Sequence, residues 1–163
     1  MKTYSLDKFD IDILNVLQTN SRLSWVDLAQ RVNLSASACQ RRTQALQNEG
    51  IIERFTLNVD VESIGFDVEA FVSVSIERQD QEFAMMFRER MLRLPEVQSC
   101  YMLSGSIDFM LRIISRSLRE YGQFIQQEIL NLPGVKDATS SIVLECIKRD
   151  HAVPPTPDSP VRR

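Results

Sequence analysis

The chain has 163 residues, 44% of them hydrophobic, which suffices for one ordinary domain or two small ones and excludes general disorder. Its formal charge of −3 argues against a general polyanion binder, and no apolar run approaches the length of a membrane span. The first ten residues lack the apolar core of a signal peptide, and Cys39, Cys100 and Cys146 are odd in number and widely spaced, so a cytoplasmic protein with reduced thiols is expected.

Residues 1–60 are neutral, with seven basic and seven acidic side chains, whereas residues 61–150 carry ten basic and fourteen acidic ones. Residues 35–48 hold two arginines and no acid, so a nucleic-acid site, if present, is local and lies in the first third.

In chain order, Phe9, Ile13, Val16 and Leu17 recur at helical spacing and predict a first helix from Asp7, its N-cap, to about Asn20. "SWVD" at 24–27 has the form of a capping box and opens a short second helix with Leu28, Ala29 and Val32 inward. Asn33 tolerates the left-handed conformation that ends a helix sharply. Ser35 caps a third helix running to about Glu49, and Gly50 stops it. Three short helices, the last two joined by "VNLS", make a helix-turn-helix. On the third, Cys39, Thr43 and Leu46 share a face and should pack inward. Ser37, Gln40, Arg41, Gln44 and Asn48 share the opposite face, which has no carboxylate, and Arg42 flanks it. A plain solvated helix would also fit that face. "IIERFTLNVD" then reads as extended chain, a wing or linker.

The remainder repeats itself. "LPEV" at 94–97 and "LPGV" at 132–135 are 38 residues apart, and the same offset lays Phe83 on Tyr121, Met86 on Phe124, Phe87 on Ile125 and Met91 on Ile129. Each copy reads strand, amphipathic helix, strand, which in tandem gives a ferredoxin-like βαββαβ domain with the Met and Phe stripe in its core. Helices on one face of a four-stranded sheet leave the other bare, so a dimer through this domain is expected. The tail, residues 151–163, has four prolines and no apolar periodicity, and reads as disordered or as a loosely docked arm. The expected layout is a helix-turn-helix over 1–52, an extended linker or wing over 53–65, a βαββαβ domain over 66–150, and the tail.

These elements, with "LDKFDIDILNVLQTNSRLS", "LAQRVNLSASACQRRTQALQNEGII", "GSIDFML" and the closing "LPGV", "TSS" and "IK" segments in order, resemble the Lrp/AsnC family of transcriptional regulators over about residues 5–149. Ala36 and Ala38 stand where the family often has proline, Asn33 where it has glycine, and Gly105-Ser106-Ile107-Asp108 where it usually has Gly-acid-aromatic-Asp. The resemblance implies an α+β protein with an N-terminal winged helix-turn-helix whose third helix enters the major groove of double-stranded DNA. Carried over by position, Ser37, Ala38, Gln40, Arg41 and Gln44 face base edges or flanking phosphates, and Arg42 contacts the backbone or holds the helix in place. The chemistry is consistent: arginine binds guanine bidentately and glutamine binds adenine, while Ser24 and Ser35 sit at helix starts whose N–H groups can meet phosphates. Arg22 and Arg54 are further phosphate candidates.

The resemblance also implies a small-molecule effector, an amino acid, held between neighbouring subunits of a homodimer or of an octameric ring of dimers. The "LSGSID" hairpin suits such a ligand. Backbone N–H groups at Gly105-Ser106 can take a carboxylate and Asp108 an ammonium, with Tyr101, Met102, Ser104, Thr139 and Ser140 as neighbours. A turn glycine and a locally paired aspartate are the plainer reading of the same residues. An enzyme resembling the sirohaem decarboxylases is the alternative on this scaffold. The single histidine, His151, lies in the tail, no Cys/His cluster has zinc spacing, and a cysteine nucleophile would lack its base. No catalytic residue, metal or cofactor is therefore expected, and no membrane.

Overall fold

The computed structural model describes residues 5–77, 81–148 and 153–155, the side chains of 81–83 excepted. The chain forms two compact units, Met1–Asn58 with Lys148–Arg163, and Val59–Ile147. The first boundary falls within the stretch 53–65 read as a linker.

Three helices build the first unit: α1 (Lys8–Thr19), α2 (Trp25–Val32) and α3 (Ala36–Asn48). Each starts where a side chain meets an orphan N–H. Asp7 accepts from the Asp10 N–H at 2.9 Å and Asp10 returns to the Asp7 N–H, a reciprocal capping box. Ser24 accepts from Asp27 and Ser35 from Ala38. Asn33 ends α2 at φ 54°, and the turn is closed by the Leu34 N–H donating to the Ala29 carbonyl. Ile13, Leu17, Leu28, Ala29, Val32, Cys39 and Leu46 form the core. The phase of α1 differs from expectation: Asp10 and Ile11 are buried while Phe9 is 38% exposed. The reason is an ion pair described below, which turns the Asp7–Asp10 edge toward α3. Residues 53–60 form no strand within this chain.

The second unit is the expected βαββαβ: β1 (Val68–Ile76), α4 (Gln81–Arg93), β2 (Val97–Met102), β3 (Phe109–Ser115), α5 (Leu118–Phe124) and β4 (Val135–Ile142). The strands are antiparallel in the order β2-β3-β1-β4. From Ile125 to Leu130 the helix after α5 widens to π geometry, which the 38-residue repeat gave no sign of. Alternate strand residues Val68, Ala70, Val72, Val74, Leu111 and Ile113 pack against Phe87, Met91, Tyr121, Ile125 and Ile129. Phe87 stacks on Phe109 with ring centroids 4.4 Å apart, and truncating a side chain so placed costs about 3–5 kcal/mol. Met86, read as core, is 40% exposed. The Phe83 side chain is not described, and most of the tail lies outside the described residues. The opposite sheet face carries Phe71, Tyr101, Met110, Ser73 and Thr139, and Phe71 is 42% and Tyr101 58% exposed.

Candidate nucleic-acid interface and ligand-binding unit

On α3 the inward face is complete: Cys39, Thr43 and Leu46 are at most 1% exposed. Burial pushes the Cys39 thiol up against the pull of Arg42, so it stays a protonated core group. Ser37, Gln40, Arg41, Gln44 and Asn48 are exposed, and Ala38 is half-buried. Gln44 donates to Asn48 at 3.1 Å, one turn along the same face. No acid stands in the first turn of α3, so the positive end of its dipole is uncompensated there. Arg41 makes no ion pair among the described residues. Arg22, in the turn before α2, and Arg54, beyond α3, are exposed, as are Ser24 and Ser35.

Arg42 points elsewhere. Its Nη1 lies 2.8 Å from both Asp7 Oδ2 and Asp10 Oδ1, and its guanidinium sits over the Phe9 ring at 5.4 Å. Burial pushes the Asp7 carboxyl up, but the Asp10 N–H and the Arg42 guanidinium outweigh it and hold it below the usual value. Burial likewise pulls Arg42 down, and its two carboxylate bonds outweigh that and raise it. Of the two duties expected of Arg42, the structure displays the second: it locks α3 to the start of α1. Sequence spacing alone does not mark Asp7, Phe9 and Asp10 as partners of this site. Their only sequence signal was two acids one turn apart at a helix start, opposite a run of arginine without acids.

In the second unit the hairpin after β2 closes through the Leu103 N–H donating to the Asp108 carbonyl at 2.9 Å. Ser104, Gly105 and Ser106 are exposed at its tip. Gly105 has φ 147°, which an L side chain rarely adopts, although a Cβ there would meet nothing within 4 Å. Asp108 is tied to the centre of the sheet: its Oδ2 accepts from the Ile76 N–H at 2.9 Å and its own N–H donates to the Val74 carbonyl. Tyr101 and Met102 point to opposite faces. Met102 lines a cleft of about 300 Å³ with Arg88, Met91, Cys100 and Phe109 on the helix side. Tyr101 shares a row with Met110, Ser73 and Thr139 across the open face, so Tyr101 and Thr139 are three strand spacings, about 14 Å, apart. Ser140 faces the helices and bonds the Tyr121 hydroxyl at 2.5 Å. A single chain thus does not gather the hairpin residues with Thr139 and Ser140.

The two units match two known domain types. Residues 6–53 match a winged helix-turn-helix DNA-binding family, and residues 69–153 match the Lrp/AsnC ligand binding domain. The chain is 36% identical to the Bkd operon transcriptional regulator of Pseudomonas aeruginosa over 91% of its length and 97% of that protein's. It is 30% identical to the leucine-responsive regulatory protein of Escherichia coli, covering 90% of this chain and 89% of that one. Its structure resembles transcriptional regulator NMB0573 of Neisseria meningitidis, solved in complex with L-Met, with TM-score 0.87, 38% identity, and coverage of 92% and 97%. A DNA-binding unit joined to a ligand-binding unit defines a ligand-responsive transcriptional regulator. The chain belongs to the Lrp/AsnC family of transcriptional regulators.

Proposed function

We propose that this regulator reads its operator through the exposed face of α3 and that an amino acid modulates its DNA binding or assembly. The observation that carries the DNA reading is the uncompensated Arg41, with Gln40 and Gln44, on a face without acids. Ser37 and Ala38 flank the bases, while Ser24, Ser35, Arg22 and Arg54 meet phosphates. Arg42, committed to Asp7 and Asp10, positions the helix instead of touching DNA. With Arg42 so committed, α3 offers the duplex one arginine, Arg41, a small charge for holding it, so several protomers must act together.

The open sheet face with Phe71, Tyr101 and Met110 is the surface we assign to a homodimer, on which a ring of dimers can build. The amino-acid class is supported by the L-Met bound to the similar Neisseria regulator. The hairpin N–H groups at Gly105 and Ser106 suit the ligand's carboxylate and Asp108 its ammonium. Tyr101, Met102, Ser104, Thr139 and Ser140 are spread over both faces and both edges of the sheet, so we place the complete pocket between copies. We read the protein as a cytoplasmic regulator without catalytic activity, in keeping with relatives that are regulators.

The test is a mobility shift on DNA upstream of neighbouring genes, with Arg41→Ala/Gln44→Ala beside the parent protein. The double variant should keep its oligomeric state and lose specific binding by at least about thirtyfold, as two base contacts of about 1–3 kcal/mol each require. Undiminished binding would remove α3 from the interface.

A further inference from the structure

Past the second unit, the chain comes back to the first. Residues 153–155, Val-Pro-Pro, lie against α1, and the contact has a definite chemistry. The Gln18 side-chain amide donates from Nε2 to the Val153 carbonyl at 3.0 Å and accepts at Oε1 from the Val153 N–H at 2.7 Å. One side chain thereby satisfies both backbone groups of one residue, as a neighbouring β-strand would. Val153 is the one residue of the three able to offer an N–H, since proline has none. A residue before proline is held extended, and the Pro-Pro step fixes the next two φ angles, so little freedom is left to lose on docking. Val153, Pro154 and Pro155 form one wall of a cleft of about 630 Å³ whose other walls include Leu14, Leu17, Ile51 and Phe55.

The sequence connects the DNA-binding unit to the other unit twice, after Asn58 and before Lys148. With the tail undocked, the first connection alone tethers the two units through the backbone. A tail gripped at Gln18 makes the second connection a restraint too.

We infer that Val153–Pro155 is a clasp: the α1 groove around Gln18 is a docking surface for the chain's own Val-Pro-Pro segment, and the docked tail pre-organises the DNA-binding unit for its operator. Releasing the clasp removes no phosphate contact. It costs DNA affinity through restored freedom alone, so the salt dependence of binding stays as it was.

Two single variants and their combination test this in the full-length protein. Gln18→Ala removes the amide, and Val153→Pro removes the N–H that the amide accepts. Each should weaken operator binding about threefold to tenfold, the scale of a lost weak tether, with an unchanged salt slope. The double variant should be no weaker than either single one, because both break the same contact. Mixing the two single variants should not restore affinity. Hydrogen exchange at the Val153 amide should be slowed in the parent protein and fast in Gln18→Ala. A Val153 amide that exchanges freely in the parent overturns the clasp. Additive losses in the double variant would give Gln18 a contribution of its own outside the clasp and overturn it equally. Affinity restored by mixing would put the tail on a second copy and overturn the intrachain assignment.

Discussion

At the scale of residues, Arg42 shows how two neighbouring arginines divide their work. Arg41 faces outward, whereas Arg42 is half-buried between two carboxylates. Asp10 is 2% exposed, and a carboxylate so buried is stable only while partnered. Arg42→Gln should therefore destabilise the protein by about 2–3 kcal/mol, read as a lowered denaturant midpoint of the first unit. The sign with pH follows from Asp7, whose folded-state pKa is depressed. Its contribution is full above the ordinary carboxylate value near 3.9 and is lost as pH falls through the lower folded value. The gap between parent and variant should be full at neutral pH and shrink below about pH 4; a gap that widens in acid would contradict the assignment. The helical wheel separated Cys39, Thr43 and Leu46 from Gln40, Arg41 and Gln44, because that separation is local. The choice between the two duties open to Arg42 was not local, since its partners lie 32 and 35 positions earlier in the chain.

At the scale of elements, start and stop signals placed all three helices of the first unit to within a residue or two. Caps are short-range chemistry, and Ser24, Ser35 and Asp7 had only to reach N–H groups three residues on. Asn33 tests this reading. Its φ of 54° is open to glycine and tolerable to asparagine. Asn33→Gly should leave the thermal midpoint nearly unchanged, and Asn33→Val should cost about 1–2 kcal/mol; equal effects would mean the turn does not need the left-handed residue. The repeat at 38 residues likewise revealed both strand–helix–strand halves. It could not reveal the π-helical stretch at Ile125–Leu130, because hydrogen-bond widening leaves no period in the sequence. Nor could it show that Met86 stays exposed while Phe87 and Met91 are buried. Spacing marks a stripe, and the width of that stripe is set by the sheet beneath it.

At the scale of the whole molecule, the expected site residues fare differently in the two units. The outward side chains of α3 share one helix face within a single chain. The effector candidates are divided: the hairpin at one end, Thr139 at the far edge of the open face, and Ser140 toward Tyr121. Sequence order brought them to notice together, but alternation along β2 and β4 sends neighbours to opposite faces. A pocket drawn from all of them needs a second copy, which also gives the exposed Phe71 and Tyr101 a partner. A ligand bound between copies, as proposed, would bias how many α3 helices reach DNA together and at what spacing. The most direct measurement of the central claim is selection of binding sites from random DNA by the parent protein and by a variant with Gln40, Arg41 and Gln44 all changed to alanine. The parent should yield a single recurring motif, and the variant should lose it while keeping the parent's oligomeric state. The same motif recovered by both would contradict that claim, because sequence would then be read by some other surface.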